Sequence, residues 1–455
     1  MIGARLDQAD IQGNILRGYR FPFARHQLVH LPGAGAGRRW LATLVDSVMT
    51  AEDWPAGTRP VVAHNVAVTA TGLAALGVPA AYVDACDPAF LAGMAKRAGR
   101  LGDEGTSAPD HWDPGLGTGA GHVLVSTYAT AKEELDGALT RLGRGMEDHG
   151  IAVVHDQPAH SLPDQIEHFG FSDGRGQPSI AGAARGPAQA GYVDWFRRRR
   201  PFPPGEFLLG RRDLNGARTP GPPGPLGENS TYLVYRKLGQ DVAAFRRFVG
   251  EQAARCGMDE ALVKAKIVGR WPDGTPLVLS PLRPEPAVAG DPVGINDFGY
   301  GGDPDGFRCP LGAHIRRTNP RDALGYGTSL SARHRMIRRG MPYGPPLSGN
   351  GNGDGGGDDG ADRGLLFLCF VADIERQFEF VQTQWCNDGN AFGLGRDPDV
   401  LVGARHGSAK MVVHDPERPR FLWPLPPLVT TRGGEYLLVP SLRGLRALAA
   451  GRVGG

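Results

Sequence analysis

The sequence predicts an α+β protein made of two packed units, and three observations support this prediction. The chain has 455 residues, which is too long for one small hydrophobic core. Short apolar runs bounded by Gly, Pro or Asp are interspersed with runs of helical periodicity. This pattern stops near residue 160 and starts again near Ser230. We therefore expect two units that each combine antiparallel strands with helices.

The first unit is predicted to contain four strands and one helix. Apolar residues recur at roughly helical spacing in KEELDGALTRLGRGM, at 132–146, which predicts the helix. The strand-like runs are rich in Val, Ile or Leu and occupy 27–31, 65–69, 122–127 and 151–155. Residues 160–230 are then dominated by Gly, Pro and Arg, so this segment is either a linker or a large functional loop.

The second unit repeats the alternation of strands and helices. TYLVYRKL, GLLFLCFVAD and EYLLVPS are typical of strands, whereas DVAAFRRFVGEQAARCG and DIERQFEFVQTQW indicate helices. Between them, GNGNGDGGGDDG at 349–360 is of low complexity and predicts a flexible insertion. It also resembles, faintly, a Gly/Asp calcium-binding repeat.

Composition excludes several classes of function. The formal charge of +2 argues against a nucleic-acid or membrane-surface role that depends on bulk charge. The basic run at 197–200 is either a solvated loop or a patch for an acidic partner. Five cysteines without a CxxC pair fit a reducing compartment. Neither a signal peptide nor a membrane-spanning stretch is evident, so we expect a cytoplasmic protein.

His314 stands out among the thirteen histidines because of its neighbours in RCPLGAHIRRTNPRD. Small residues precede it and would let a flat ligand approach the backbone closely. Arg316 and Arg317 follow it and could pair with the carboxylates of such a ligand. The alternative is an ordinary surface or core histidine. No HExxH, HxH or Cys/His spacing supports a zinc site made by protein ligands alone.

Two further segments contain candidate catalytic side chains. Asp173 lies between Gly170 and Gly174 in EHFGFSDGRGQPSI, a loop that can turn tightly and present one carboxylate to a cavity. The alternative is a common Asp-Gly turn. In RHRMIRRGMPYG, either Arg338 or Arg339 is a candidate for burial beside an anion, and a basic surface turn is the alternative.

In these settings and in this order, Asp173, His314 and Arg338 resemble the dye-decolorizing peroxidase family. The resemblance begins with DIQGNILRGY at 10–19 and continues through NVAVTATGLAALGV, KIVGRWPDGTPL and NDFGYGGDPDGFRCPLGAHIRRTNPR to GLLFLCFVADIERQFEFVQTQW, so it covers nearly the whole chain. The length and the Gly-rich insertion are similar to those of the longer, fungal and actinobacterial members.

The resemblance implies a pair of ferredoxin-like domains with antiparallel sheets. Residues 1–228 would form the N-terminal domain, with the GxxDG loop, and 229–455 the C-terminal domain, which would hold most of one haem b per chain. It also implies a peroxidase that reduces hydrogen peroxide and oxidises phenolic, dye-like or other aromatic donors in one-electron steps.

By the family's pattern, His314 would be the proximal iron ligand and Arg316 would help to bind the cofactor. Asp173 would be the distal acid–base residue, and Arg338 would stabilise the charge that develops as the O–O bond breaks. An Asp ordinarily has a pKa of about 3.9 and a His one of about 6.5, so a carboxylate base favours activity at acidic pH.

Four more family positions remain to be placed. A carboxylate should hydrogen-bond the iron ligand, and GLGRDPDVLVG offers both Asp397 and Asp399. Leu365 and Phe367 lie at i and i+2 of a strand, so they face the same side and would narrow access to the iron. Surface aromatic residues would relay electrons from bulky dyes, and the candidates are Trp385 and Tyr343.

Three other functions compete with the peroxidase interpretation. One is a haem-handling protein of the same fold, which would need neither Asp173 nor Arg338. Another is a peroxide-driven biosynthetic enzyme with one dedicated substrate, chosen by loops such as 197–228. The third is a calcium-binding interaction module built on residues 349–360.

Overall fold

The structure, a computed structural model, describes residues 6–55, 57–183, 189–194, 196–348, 357–404 and 409–453. Most of the Gly-rich insertion, residues 349–356, lies outside these ranges. The calcium-binding interpretation, which depends on these residues, is therefore not tested by the structure. Within the described ranges, no helix has both the length and the apolar character needed to cross a bilayer.

Four antiparallel strands form the first sheet, each at a predicted apolar run. They are β1 Phe23–His30, β2 Val62–Val68, β3 Val123–Ala129 and β4 Ala152–His160. Helix α1, Ala34–Leu44, follows β1, and α2, Lys132–Glu147, follows β3. The strands lie in the order β2-β3-β1-β4, which makes this unit ferredoxin-like.

The second sheet has the same topology. Its strands are β5 Thr231–Gln240, β6 Ile337–Arg338, β7 Met341–Tyr343, β8 Gly364–Val371 and β9 Val429–Val439. Both β6 and β7 pair with one edge of β8, and the order continues β8-β5-β9. Its longer helices are α3 Val242–Cys256, α4 Glu260–Val268 and α6 Leu442–Ala450, and the short helix α5 His314–Thr318 lies between α4 and β6. The predicted fold of two ferredoxin-like units is therefore confirmed.

The two sheets join at one point and curl towards each other. Leu438 of β9 pairs with Val68 of β2, and at the far ends β7 lies beside β4. The barrel that results has an apolar interior, with members such as Leu124, Leu366 and Leu437. Helices α1 and α2 cover the outer face of the first sheet.

Shorter elements fill the connections. The remaining α-helices are Gly13–Leu16, Ala70–Ala75, Ala80–Val83, Pro88–Ala92, Ala98–Leu101, Pro286–Gly290 and Ser329–Ala332. Single 3₁₀ turns lie at Val45–Ser47, Ala95–Arg97, Gly105–Ser107, Pro109–His111, Pro163–Gln165, Pro204–Glu206, Gly224–Leu226, Gly294–Asn296, Arg321–Leu324 and Ala391–Gly393. The predicted helix near residues 373–385 forms as two π-helical segments, Glu375–Glu379 and Val381–Asn387.

The described part of the long segment between β4 and β5 consists of short ribbons and turns. Gln177–Pro178 pairs with Gln189–Ala190, and Tyr192–Val193 pairs with Arg199–Arg200. A third ribbon, Met411–Val413 with Arg420–Leu422, lies after the second sheet's π-helical segments. The basic run near residue 200 is exposed and forms ion pairs with acids of this chain, Asp194 and Asp297, as expected of a solvated loop.

Candidate functional site

A cavity of about 650 Å³ lies against the outer face of the second sheet. Leu365 and Phe367 of β8 line it together with Arg236 and Leu238 of β5. Side chains at i and i+2 of a strand share a face, and this is the face that opens to the cavity. Both residues predicted at this motif therefore lie on the cavity wall.

His314 lines the cavity from the first position of α5. Its Nδ1 is 2.9 Å from Oδ2 of Asp399, whose side chain is completely buried. The other carboxylate oxygen of Asp399 accepts the backbone N–H groups of Leu401 and Val402, each at 2.9 Å. With Nδ1 engaged, Nε2 is the ring nitrogen that remains for a ligand in the cavity.

The carboxylate beside His314 is Asp399, and Asp397 lies elsewhere. Asp397 forms an ion pair with Lys410 at 3.0 Å. Burial alone would raise the pKa of Asp399, but the charge and hydrogen bond of His314 outweigh burial and lower it to about 2. For His314 the two effects have the opposite directions: burial lowers its pKa, and the charge and hydrogen bond of Asp399 raise it by a larger amount.

Asp173 and Arg338 meet at the same cavity, with Oδ1 and Nη1 3.5 Å apart. The Asp173 loop turns at Gly170 and Gly174, where φ is +93° and +71°, values that favour glycine. Gln177 ties the loop to β6, because its amide donates to the carbonyl of Arg338 at 2.8 Å and accepts from the Arg338 N–H at 3.2 Å.

Arg339, the other arginine of the pair, points away from the cavity. Its guanidinium donates to the backbone oxygens of Asn14 and Ile15 at 2.8 and 3.0 Å. Successive residues of a strand face opposite sides, so only one of the two arginines can face the cavity.

The other arginines on the cavity wall include Arg270, Arg321 and Arg335, which were not predicted. Arg270 and Arg321 donate mainly to backbone carbonyl oxygens. Among the described residues, none of the three forms an ion pair with a carboxylate. Burial and the charge of Arg321 lower the pKa of Arg270 to about 9, and burial with the charges of Arg321 and Arg338 does the same for Arg335. Positive charge without a counter-ion is typical of an anion site.

Little in the sequence indicates that these arginines line a cavity. They stand in KIVGRWPDGTPL, TNPRD and RHRMIRR, among 50 Lys and Arg residues in the chain. A basic residue between apolar neighbours, as in VGRW, is a weak indication of burial. Only the fold distinguishes these three from arginines at the surface.

Arg316 does not reach the cavity, in contrast to the prediction. It is almost completely buried and donates to Oδ2 of Asp303 at 3.0 Å and to the carbonyl of Cys309 at 2.7 Å. Its guanidinium also lies 4.6 Å from the ring centre of Tyr300. This environment satisfies the charge of Arg316 internally, so its role is structural.

The two aromatic relay candidates are not at the surface. Trp385 is 7% exposed and Tyr343 is 2% exposed. In an α-helix, residue 385 would share a face with the cavity-lining Phe378 and Gln382. The π-helical turns add one residue per turn, so Cys386 lines the cavity and Trp385 packs against the ring of His334 at 4.9 Å.

Comparisons with known proteins identify the family of the chain. The family profile described as "DyP dimeric alpha+beta barrel domain" matches residues 36–160, and "Dyp-type peroxidase, C-terminal" matches residues 227–393. The dye-decolorizing peroxidase msp1 of Mycetinis scorodonius is 31% identical, over 98% of this chain and 88% of that protein. The multifunctional dye peroxidase DyP2 of Amycolatopsis sp. is 33% identical, over 84% of this chain and 82% of that protein.

Solved structures give the same result. A dye-decolorizing peroxidase in complex with 2,6-dimethoxyphenol has a TM-score of 0.84 and 28% identity, covering 98% of this chain and 100% of that one. An ancestral D-type dye-decolorizing peroxidase has a TM-score of 0.82 and 29% identity, covering 97% and 99%. The fold and these matches together establish that the chain belongs to the dye-decolorizing peroxidases, haem enzymes that reduce peroxide and oxidise aromatic donors.

Proposed function

We propose that the cavity binds one haem b and that Nε2 of His314 would hold its iron. The observation that carries the proposal is that the His314–Asp399 pair and the Asp173–Arg338 pair line one cavity. Haem, when bound, supplies the iron that binds peroxide and holds the oxidising equivalents that peroxide leaves behind. We also propose residues 1–228 and 229–455 as the two domains.

The residues of the cavity fit a flat group with an apolar body and two carboxylates. Apolar side chains suit the porphyrin ring, and those on the wall include Phe171, Val268, Ile315, Leu365, Phe367, Phe378 and Leu401. Arg270, Arg321 and Arg335 have no carboxylate partner among the described residues, and we assign them to the propionates. A dianionic ligand would offset the repulsion within this arginine cluster.

Asp399 acts through His314. A carboxylate that accepts the Nδ1–H of an imidazole fixes the tautomer and the ring orientation, and it makes Nε2 a stronger electron donor. The two backbone N–H groups on its other oxygen hold Asp399 in place. This pair therefore sets how strongly His314 donates to a metal.

Asp173 and Arg338 divide the work on peroxide. The Asp173 carboxylate would take a proton from one oxygen of hydrogen peroxide and return it to the other oxygen, which would leave as water. Arg338 keeps a positive charge beside the O–O bond and stabilises negative charge on the departing oxygen. Their separation of 3.5 Å lets both reach one small molecule.

Phenolic, dye-like and other aromatic donors are the proposed reducing substrates. The relative that was solved with 2,6-dimethoxyphenol supports the phenolic class. Leu365 and Phe367 narrow the space above the proposed peroxide site, so bulky donors would deliver electrons from outside the cavity.

The test is an absorbance spectrum of haem-loaded protein before and after hydrogen peroxide is added. We expect a strong haem band that shifts with peroxide and recovers when a phenol is added. His314→Ala should lose the axial bond and alter the band before any peroxide is present. Asp173→Asn and Arg338→Leu should keep the resting band but slow the peroxide response by about 10²–10⁴-fold. A resting band that His314→Ala leaves unchanged would refute the assignment.

A further inference from the structure

Tyr436 is a buried tyrosine separated from the cavity by one aromatic ring. It lies on β9, is 1% exposed, and meets the ring of Phe378 edge-on, with centroids 6.2 Å apart. Phe378 lines the cavity and also packs against the cavity residue Phe367 at 6.1 Å. An electron from Tyr436 would therefore reach the cavity through one side-chain contact.

The phenol of Tyr436 has a proton acceptor. Its O–H donates to Oε1 of Glu379 at 2.9 Å, and the Glu379 side chain is completely buried. A phenol that loses an electron becomes a strong acid, so its oxidation in a core is costly unless the proton can leave. Glu379 takes that proton without any movement of the chain.

The surroundings of Glu379 tolerate its protonation. Arg97 and Arg100 both pair with it, and Arg97 also pairs with Glu375. When Glu379 becomes neutral, Arg97 keeps the Glu375 carboxylate as a partner, and Arg100 is more than half exposed to water. Neither guanidinium is left as an uncompensated buried charge, which would be strongly destabilising.

From this geometry we propose that Tyr436 is an internal one-electron donor to the oxidised haem site and that Glu379 accepts its phenolic proton. The inference rests on the proposed haem site. Hydrogen peroxide is the oxidant: when its O–O bond breaks and one water leaves, the haem site would be oxidised by two electrons, and Tyr436 would return one of them. The O–H bond of Tyr436 breaks and an O–H bond forms on Glu379, which leaves a neutral tyrosyl radical. An aromatic donor then gives one electron to the radical, and the proton returns from Glu379.

Other buried tyrosines lack this combination of contacts. Tyr235 has no hydrogen-bond partner for its hydroxyl among the described residues. Tyr343 donates to Asp362 at 3.2 Å, but the ammonium of Lys237 lies 4.7 Å from its ring centre and opposes oxidation. Tyr232 packs on Phe90, which does not line the cavity, and its hydroxyl accepts the Asp87 N–H.

The test is electron paramagnetic resonance of haem-loaded protein frozen after one equivalent of hydrogen peroxide. We expect a tyrosyl radical whose lines narrow when the protein carries ring-deuterated tyrosine. Tyr436→Phe should lose this signal while the haem absorbance still responds to peroxide. Glu379→Gln should lower the radical yield, and Tyr232→Phe, the matched control, should leave it unchanged.

The outcomes separate this inference from the proposed function. If the wild-type haem absorbance does not respond to peroxide, the proposed function fails. If it responds and the radical persists in Tyr436→Phe, or if ring deuteration leaves the wild-type signal unchanged, the inference is overturned. The deuteration experiment needs no variant, so a poorly folded Glu379→Gln does not prevent a decision.

Discussion

Glu435 provides a quantitative test of the electrostatics inside the barrel. Its side chain lies on β9 and is almost completely buried, and it accepts the backbone N–H of Gly117 at 2.6 Å. Burial raises the pKa of Glu435 from its ordinary 4.5 to about 7, against the opposing effect of that hydrogen bond. The folded protein therefore holds this proton more tightly than the unfolded chain does.

The size and sign of the effect follow from that difference. A change in pKa from 4.5 to about 7 corresponds to about 3 kcal/mol in the free energy of unfolding. This stabilisation is fully present below pH 4.5 and is lost as the pH rises through 7. Glu435→Gln carries a neutral side chain at every pH. We expect it to match the wild type near pH 4.5 and to exceed it by up to about 3 kcal/mol at pH 8.

The assay is urea denaturation of wild type and variant at pH 4.5, 6 and 8, followed by circular dichroism. Other groups, such as the buried His26 with its pKa lowered to about 4, act equally in both proteins and cancel in the difference. Glu417→Gln, at an exposed carboxylate, is the control and should show no pH-dependent difference. If the Glu435→Gln and wild-type stabilities stay parallel from pH 4.5 to 8, the reasoning is wrong.

Three shorter predictions concern the cavity. Asp399→Asn should lower peroxidase activity by about 10–100-fold, and Asp397→Asn, two residues away, should not; equal losses in stopped-flow assays would contradict the assignment. Arg335→Gln should weaken haem retention by about tenfold in transfer to apomyoglobin, because one charge-assisted hydrogen bond is lost. Trp385→Phe should slow oxidation of a dye too large for the cavity and spare that of a small phenol; unchanged dye turnover would exclude Trp385 as a relay.

Periodicity was sufficient to predict two α+β units, whereas their ferredoxin-like topology was predicted from the resemblance to the family. Alternating or continuous apolar runs located the main strands, and helical spacing located α2 and α3, because burial on one face imposes these periods on the sequence. The catalytic candidates Asp173, His314 and Arg338 were recognised from local sequence motifs that resemble those of the family. The Asp173 loop needs glycines with positive φ, so its chemistry leaves a trace in the local sequence.

Contacts between segments that are distant in the sequence could not be predicted from local sequence motifs. Asp397 and Asp399 are two residues apart, and the choice between them depends on the Asp399 N–H, which donates to the carbonyl of Cys386 and orients the loop. Arg316 was predicted to bind the cofactor, but in the structure it forms an ion pair with Asp303, which the sequence did not indicate. Trp385 was predicted at the surface but is buried beside His334. It lies in a π-helical segment, and the spacing of apolar residues does not reveal that the helix is wound in this way.

The two units share one topology, yet the cavity of about 650 Å³ lies against the second, and the packing of the helices explains its position. In the first unit, Trp40 of α1 and Leu142 of α2 belong to the same apolar cluster as Val125 of β3, so the helices lie directly on the sheet. In the second unit, Phe245 and Val249 of α3 belong to another cluster, which contains no described residue of β5 or β8. Helix α3 packs instead against α4 and the Arg420–Leu422 strand. The outer face of β5 and β8 therefore stays uncovered by α3. The long connection from α4 to β6, which carries His314 and the arginines Arg270, Arg321 and Arg335, borders the space. A close-packed helix at this position would leave no room for a cofactor, so the site depends on a core divided into two clusters.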